Sequence, residues 1–448
     1  MMRRRSFISG IPLLSGSVFI NSQSAHAGVT RKEHKVVEGE IDFSDFPTVV
    51  EPEQKIPVIA ETDVLVIGGG PAGVAAAVSA SRAGSKTILV ERYNHLGGLW
   101  TGGLVLPLLS THAMDEKGTF RKVIYGIGDE IAQKLFRMGM AIHEVNPVVD
   151  PEAAKYVLDV MIKESGVKIL YHCRTSNVVV ANDRIQAVIM DSKSGRVAIK
   201  PKIVIDCTGD GDVFHLAGES YEVMNYHIGL VHRLGNVDRI DKTRTGYKDM
   251  EIGGETPLPG VNWVNMRGED DRSGIDLNTL SELQQKYRIA IWEQTEKIRS
   301  TPGYEQVYLL DTASQLGVRM SRILHGHYTL TLDDSMTFKT FSDVIGISGS
   351  WTRVRYNGET IYPKKRPLWQ IPYRSLLPGK TKNLLVAGRC FSFEKELVED
   401  TRIIGTCLIT GHGAGAAASV AAGSDTAVQE VDIKAVQNIL KKQGAYLG

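Results

Sequence analysis

The sequence predicts an α/β fold: a Rossmann-like dinucleotide-binding domain with a three-layer sheet, and a mixed α+β substrate domain interleaved with it. Three observations carry this. A complete βαβ unit spans Thr62 to Glu91, a second apolar strand breaks at Thr208-Gly209, and a third, Asn383–Arg389, returns near the end of the chain.

In the first unit, Asp63–Ile67 reads as a buried strand, Gly68-Gly69-Gly70-Pro71-Ala72-Gly73 as a tight turn, Val74–Ala83 as a small-residue helix, and Thr87–Val90 as a second strand. Gly68 turns the chain, Gly70 has no Cβ to obstruct a pyrophosphate, and Gly73 lets the helix approach the sheet. The helix start directs unpaired N–H groups and a positive dipole end at a diphosphate. Glu91 ends the second strand where a carboxylate accepts the hydroxyls of an adenosine ribose and repels a 2′-phosphate, which excludes NADP. Arg92 follows it.

At 448 residues the chain is long for one core, and two domains are expected. With 23% charged and 42% hydrophobic residues it has ordinary globular composition. The formal net charge of +1 falls three units to −2 when Arg3, Arg4 and Arg5 are removed with a leader that holds no acid, so no basic surface invites nucleic acid. Cys173, Cys207, Cys390 and Cys407 form no C-x-x-C pair, and no metal site is expected.

Residues 1–27 read as a targeting peptide, with Ala25-His26-Ala27 as cleavage site and an apolar stretch too short to span a bilayer. Arg4-Arg5-Ser6-Phe7-Ile8 matches the twin-arginine core, a route that carries folded proteins with cofactor in place, and a periplasmic location follows. Residues 28–61, with Pro47, Pro52 and Pro57, read as an extended arm.

The glycine-dense run Leu96–Val105 directly after the ribose acid brings Gly97, Gly98 and Thr101 to a cofactor. His95 just before it is either a tether for the flavin methyl or a packed side chain. A helix over Pro151–Gly166 leads into a strand meander, Lys168–His172, Ser176–Ala181, Arg184–Asp191 and Arg196–Pro201, and then into Ile203–Cys207 with Gly209 and Asp210 after it. That second strand is the usual companion of an FAD site rather than of a simple NAD dehydrogenase. Asp210 and Asp212 read as caps for a short helix over Val213–Gly218.

The assigned organisation is residues 62–220 for the first part of the FAD-binding domain, 221–380 for a substrate lobe rich in Trp, Tyr, Arg and His, 381–425 for the closing part and 426–448 for a C-terminal helix and tail. In the lobe, Ser281–Ser300 is an amphipathic helix stopped at Pro302. In the closing part, Gly388 and Arg389 follow the third strand. Gly411, Gly413 and Ala414 read as the opening of an alanine-rich helix whose positive end meets the flavin.

With these residues assembled, the chain resembles the FAD-dependent oxidoreductases of the large two-domain fold shared with glutathione reductase and fumarate reductase. The ordered matches are GGGPAG, E-x-x-x-x-LGG-x-x-TGGL, VIDCTGDGD, PGYE…LGVRMSR, IPYRSLLP, NLLVAGRC and TR-x-x-x-TC-x-x-x-G-x-x-AG, from residue 62 to about 422. The chain departs from the family at Met320, where Glu is usual, and at His412, where Gln is usual. The resemblance implies FAD as cofactor and hydride transfer from a CH–OH, CH–NH or CH–CH donor in a small polar metabolite to flavin N5. Its alternatives are an activated-alkene reductase and a flavin electron carrier. Oxygen, a quinone or a cytochrome is the expected reoxidant. Arg319, Arg322, Arg374 and Arg402 are candidate substrate anchors, and His325, His327, Tyr373 and His412 candidate acid–base groups.

Overall fold

The computed structural model describes residues 35–37, 40–266, 268–349, 354–356, 359–361 and 367–448. The targeting peptide, most of the first third of the arm and Trp351 of the lobe lie outside them.

The first unit consists of β1 (Val58–Ile67), α1 (Pro71–Arg82) and β2 (Thr87–Val90). β1 begins four residues inside the stretch read as an arm, because its outer half pairs with a second long strand. Pro71 opens α1 at a position where a missing N–H costs nothing. After α2 (Pro151–Glu164), capped by Asp150 on the N–H of Ala153, the chain adds β3 (Lys168–Leu170) beside β2. The meander is β4 (Arg174–Ala181), β5 (Arg184–Ser192) and β6 (Gly195–Asp206).

β6 merges two predicted strands, running through Pro201 without a break. Its first half pairs antiparallel with β5, and from Ala198 onward it pairs parallel with β1, Ala198 opposite Val58 and Asp206 opposite Ile67. α3 (Asp212–Leu216) follows.

The lobe carries an antiparallel sheet of β7 (His232–Gly235), β8 (Gly254–Glu255) and β9 (Asn262–Val264), the helix α4 (Leu277–Arg299) and the strand β10 (Tyr308–Thr312), ordered β8-β9-β7-β10. α4 starts four residues before the sequence reading placed it, because Asp276 caps the N–H groups of Asn278 and Thr279. Leu283, Tyr287 and Ile291 of α4 pack with Ile228, Leu230 and Val231 in a core distinct from that of the main sheet.

The chain returns as β11 (Leu384–Val386), parallel to the second half of β6, and continues into α5 (Ile404–Ser424) and α6 (Ile433–Lys442). The main sheet therefore has seven strands, and β3, β2, β1, β6 and β11 are parallel. Parallel strands place their carboxyl ends along one edge, where the turns after β1, β2, β6 and β11 converge.

α5 is apolar on every face and is buried against α1. A Cβ at Gly411 would lie 2.0 Å from the Ala72 carbonyl oxygen, and one at Gly415 would lie 2.2 Å from that of Ala76. These glycines form the seam between two helices. Among the described residues, no single helix is long and apolar enough to cross a membrane.

Candidate functional site

A cavity of about 850 Å³ opens along the carboxyl edge of the parallel strands and continues beneath the lobe. Its size is typical of a small-molecule or cofactor site. At the sheet edge it is lined by Gly68, Gly70, Pro71 and Ala72 after β1, Glu91 and Arg92 after β2, Gly209, Asp210 and Asp212 after β6, and Gly388 and Arg389 after β11. Gly98 joins them from the glycine-dense loop. That loop is tied to the first turn, because the Gly97 N–H donates to the Gly69 carbonyl at 2.8 Å.

The donor set suits FAD. Gly68 holds φ at +100°, which turns the chain without Cβ strain. A Cβ on Gly70 would have no protein atom within 4 Å, so the space above it belongs to the cavity, beside the start of α1. Glu91 accepts the N–H of Gly69 at 2.6 Å on one oxygen and that of Tyr93 at 2.8 Å on the other. Each oxygen keeps a lone pair for a ribose hydroxyl.

Two cations complete the edge. Arg389 is bonded to one oxygen of Asp210, and Arg92 lies 3.6 Å from the other. The Arg389 Nε–H is buried with no acceptor among the described residues, which suits a diphosphate or polyol oxygen. Burial opposes ionisation of Asp210, yet Arg389 and Arg92 outweigh it and hold the carboxyl below its ordinary range. Asp212 moves the opposite way, raised to about 6 by burial and by the charges of Asp210 and Asp206.

The cap of α3 corrects the sequence reading. Neither Asp210 nor Asp212 supplies it. Asp206, at the end of β6, accepts from Val213 N at 2.9 Å and Phe214 N at 3.1 Å with one oxygen, and holds Thr208 with the other. Asp210 is thereby left to face the cavity.

Beneath the lobe the walls change character. Leu99, Trp100, Val231, Trp263, Met266, Leu280 and Leu316 are apolar, and His227, Arg319, Glu399 and Arg402 form a polar group. Arg402 pairs with Glu399, which also accepts the hydroxyl of Tyr226. Arg319 donates to the His227 carbonyl at 3.1 Å. Burial and the Glu399 hydrogen bond push the Tyr226 phenol up to about 12, so it stays neutral.

Several predicted residues lie elsewhere. Gly73, Gly97 and Thr101 sit behind the cavity wall. A Cβ at Gly73 would fall 1.7 Å from the Gly68 carbonyl, and the Thr101 hydroxyl bonds to the Leu96 carbonyl. His95 packs behind the same loop, its ring 3.2 Å from Thr101 Oγ1 and 3.3 Å from Gln315.

Gly411, Gly413 and Ala414 do not open α5. The helix starts at Ile404, two turns earlier, and its cavity-facing end is Ile403 and Ile404. His412 points away from the cavity to Gln443, 2.8 Å from the ring. Tyr373 is buried with its hydroxyl on the Val428 carbonyl. Arg374 pairs with Asp343 at 2.9 Å, His325 bonds to Ser220, and the His327 N–H bonds to the Leu377 carbonyl. Arg322 bridges from the lobe to the Asp210 carbonyl and the Asp212 carboxylate. Of the catalytic candidates, Arg319 and Arg402 line the cavity.

The sequence profile for FAD dependent oxidoreductases matches residues 63–250 and 235–440. The chain belongs to the FAD dependent oxidoreductase family. Its cofactor is FAD and its class of chemistry is oxidoreduction, in agreement with the cavity's donor set. Among relatives, a thiamine thiazole synthase of Methanococcus vannielii is 29% identical over 165 residues, covering 34% of this chain and 57% of that protein. A digeranylgeranylglycerophospholipid reductase of Picrophilus torridus is 27% identical over 259 residues, 54% of this chain and 63% of that one. The chain thus spans less than two thirds of the length of either relative. Among solved structures, a geranylgeranyl bacteriochlorophyll reductase-like protein from Thermoplasma acidophilum aligns over 86% of this chain and 83% of its own, at 14% identity and a TM-score of 0.45.

Proposed function

We propose that this family member transfers a hydride between a carbon of a small anionic metabolite and FAD, in the oxidative direction, from a CH–OH, CH–NH or CH–CH donor. When bound, FAD supplies the two-electron acceptor at N5. The observation that carries the reading is the continuity of one cavity from Gly70 and Glu91 to Arg319 and Arg402. The two guanidinium groups hold the substrate's anionic group. His227, on the same wall, takes the accompanying proton. Trp100, Leu99 and the lobe exclude water from the reacting centre.

The test is anaerobic. The FAD-loaded protein is mixed with hydroxy acids, amines, amino acids and sugars, and its visible band is followed. Bleaching by an anionic donor, with slower bleaching in His227→Gln, is expected. A yellow protein bleached by none of them would end the oxidative reading. The apolar walls around Trp263 and Met266 favour a second reading, reduction of an activated alkene, which predicts instead that an enoate reoxidises the chemically reduced protein.

We further infer export by the twin-arginine route, supported by Arg4-Arg5-Ser6-Phe7-Ile8 and Ala25-His26-Ala27. Replacing both Arg4 and Arg5 with Lys should trap the precursor in the cytoplasm. Normal secretion of that variant would refute the route. Oxygen, a quinone or a cytochrome as acceptor is resolved by which of them restores the oxidised spectrum.

A further inference from the structure

We infer that the substrate is an amphipathic carboxylate, its carboxylate held by Arg402 and Arg319 and its apolar body lodged against Trp263, Met266 and Leu280, with Gln284 donating to a hydrogen-bond acceptor on that body. This rests on the substrate-binding part of the reading above and names the chemical class that the cavity admits.

Charge comes first. Among the described residues, the cavity wall under the lobe carries two guanidinium groups, Arg319 and Arg402, and one carboxylate, Glu399. Tyr226, which shares Glu399, is a neutral donor. Asp270 lies outside the wall, 3.8 Å from the His227 ring and largely exposed. These described groups sum to one positive charge, which an anion complements better than a neutral sugar does.

Hydrogen-bonding capacity points the same way. Arg402 spends one terminal nitrogen on Glu399, while its Nε–H is buried and has no acceptor among the described residues. A buried donor of this kind costs free energy until a ligand supplies an oxygen, and a planar carboxylate fits the guanidinium fork.

The third observation is the lobe wall. Trp263, Met266 and Leu280 line the cavity while packing on the lobe's own core, so they form a fixed apolar surface. One turn beyond Leu280 on α4, Gln284 lines the same cavity, and its amide nitrogen is buried without a partner among the described residues. A wall of three large apolar side chains with one unsatisfied donor selects a body of several carbons bearing one carbonyl or hydroxyl oxygen.

The FAD-loaded protein is titrated with acetate, hexanoate, phenylacetate, phenylacetamide and 4-hydroxyphenylacetate, reading the perturbation of the oxidised-flavin band and the heat of binding. Phenylacetate and hexanoate should bind at least about tenfold tighter than acetate or phenylacetamide. Arg402→Lys should remove that preference for acid over amide while FAD stays bound. Gln284→Leu should weaken 4-hydroxyphenylacetate about tenfold and leave phenylacetate unchanged. Equal binding of acid and amide, or of acetate and phenylacetate, overturns the inference. Bleaching by a neutral donor alone would also overturn it while leaving hydride transfer intact. Tight acid binding without redox exchange with any donor or enoate would keep this assignment and end the catalytic one.

Discussion

The carboxylate of Glu91 at the end of β2 accepts the backbone N–H of Gly69 at 2.6 Å, joining the second strand to the turn that follows the first. One side chain thus fixes the phosphate turn and faces the cavity. Glu91→Ala leaves the Gly69 and Tyr93 amides without their acceptors, a loss of about 1–3 kcal/mol for a buried donor. The variant should melt lower even without FAD and should bind FAD more weakly as well. A variant that loses affinity but keeps the melting temperature of the FAD-free protein would show that the bond to Gly69 contributes nothing to the fold.

Gly70 and Gly73 stand in one motif and predict opposite phenotypes. Gly70 has φ −67°, which any residue adopts, and a Cβ there would enter open cavity. Gly70→Ala should therefore fold with stability within about 0.5 kcal/mol of the parent and bind FAD at least about tenfold more weakly. At Gly73 the Cβ would meet the Gly68 carbonyl, and Gly73→Ala should cost at least about 1–3 kcal/mol of stability through overpacking. Denaturant melts of the FAD-free proteins and FAD titrations separate the two. Equal stabilities would contradict the packing assigned to Gly73.

The motif around these glycines was legible because its chemistry is local: strand, turn, helix and acid lie within thirty residues. Much of α5 was not. Its glycines and alanines carry no amphipathic signal, every face is buried, and nothing in the spacing says which side meets α1 and which meets the cavity. The glycine cluster was accordingly read as a helix start when it is a seam. His227 and Gln284 were missed for a related reason, since they come from a short lobe strand and a surface helix that only tertiary packing brings to the cavity. The cap from Asp206 had a visible signal, an acid at the end of an apolar strand six residues before a helix, and the nearer Asp210 and Asp212 obscured it.

Asp212 gives stability an unusual sign of pH dependence. Its folded pKa, about 6, exceeds the ordinary 3.8, so the folded protein holds this proton more tightly than the unfolded chain. The penalty for ionising it is absent below pH 4, grows between pH 4 and 6, and is complete above. Because the side chain is 38% exposed, solvent screening holds the effect to about 1 kcal/mol. Asp212→Asn should therefore stabilise the protein at pH 7 and have little effect at pH 4. Melting curves of parent and variant across that range test it, and a stabilisation that does not change with pH would refute the assignment.

His412 has the opposite sign. Burial lowers its pKa to about 4, against the pull of its hydrogen bond to Gln443, so the folded state holds a neutral ring at pH 7. The unfolded chain takes up a proton below about 6.5, and stability is lost as the pH falls from there towards 4, by up to about 3 kcal/mol. His412→Gln has no titrating group at this position and should lose less stability between pH 7 and 5 than the parent. The ring faces Gln443 and Gly126 rather than the cavity, so the variant should also keep its FAD affinity and its rate of flavin bleaching. Denaturation at pH 7 and pH 5, paired with anaerobic bleaching by the same donor, separates these roles. A tenfold fall in bleaching rate with unchanged acid stability would return His412 to the reaction and remove it from the scaffold.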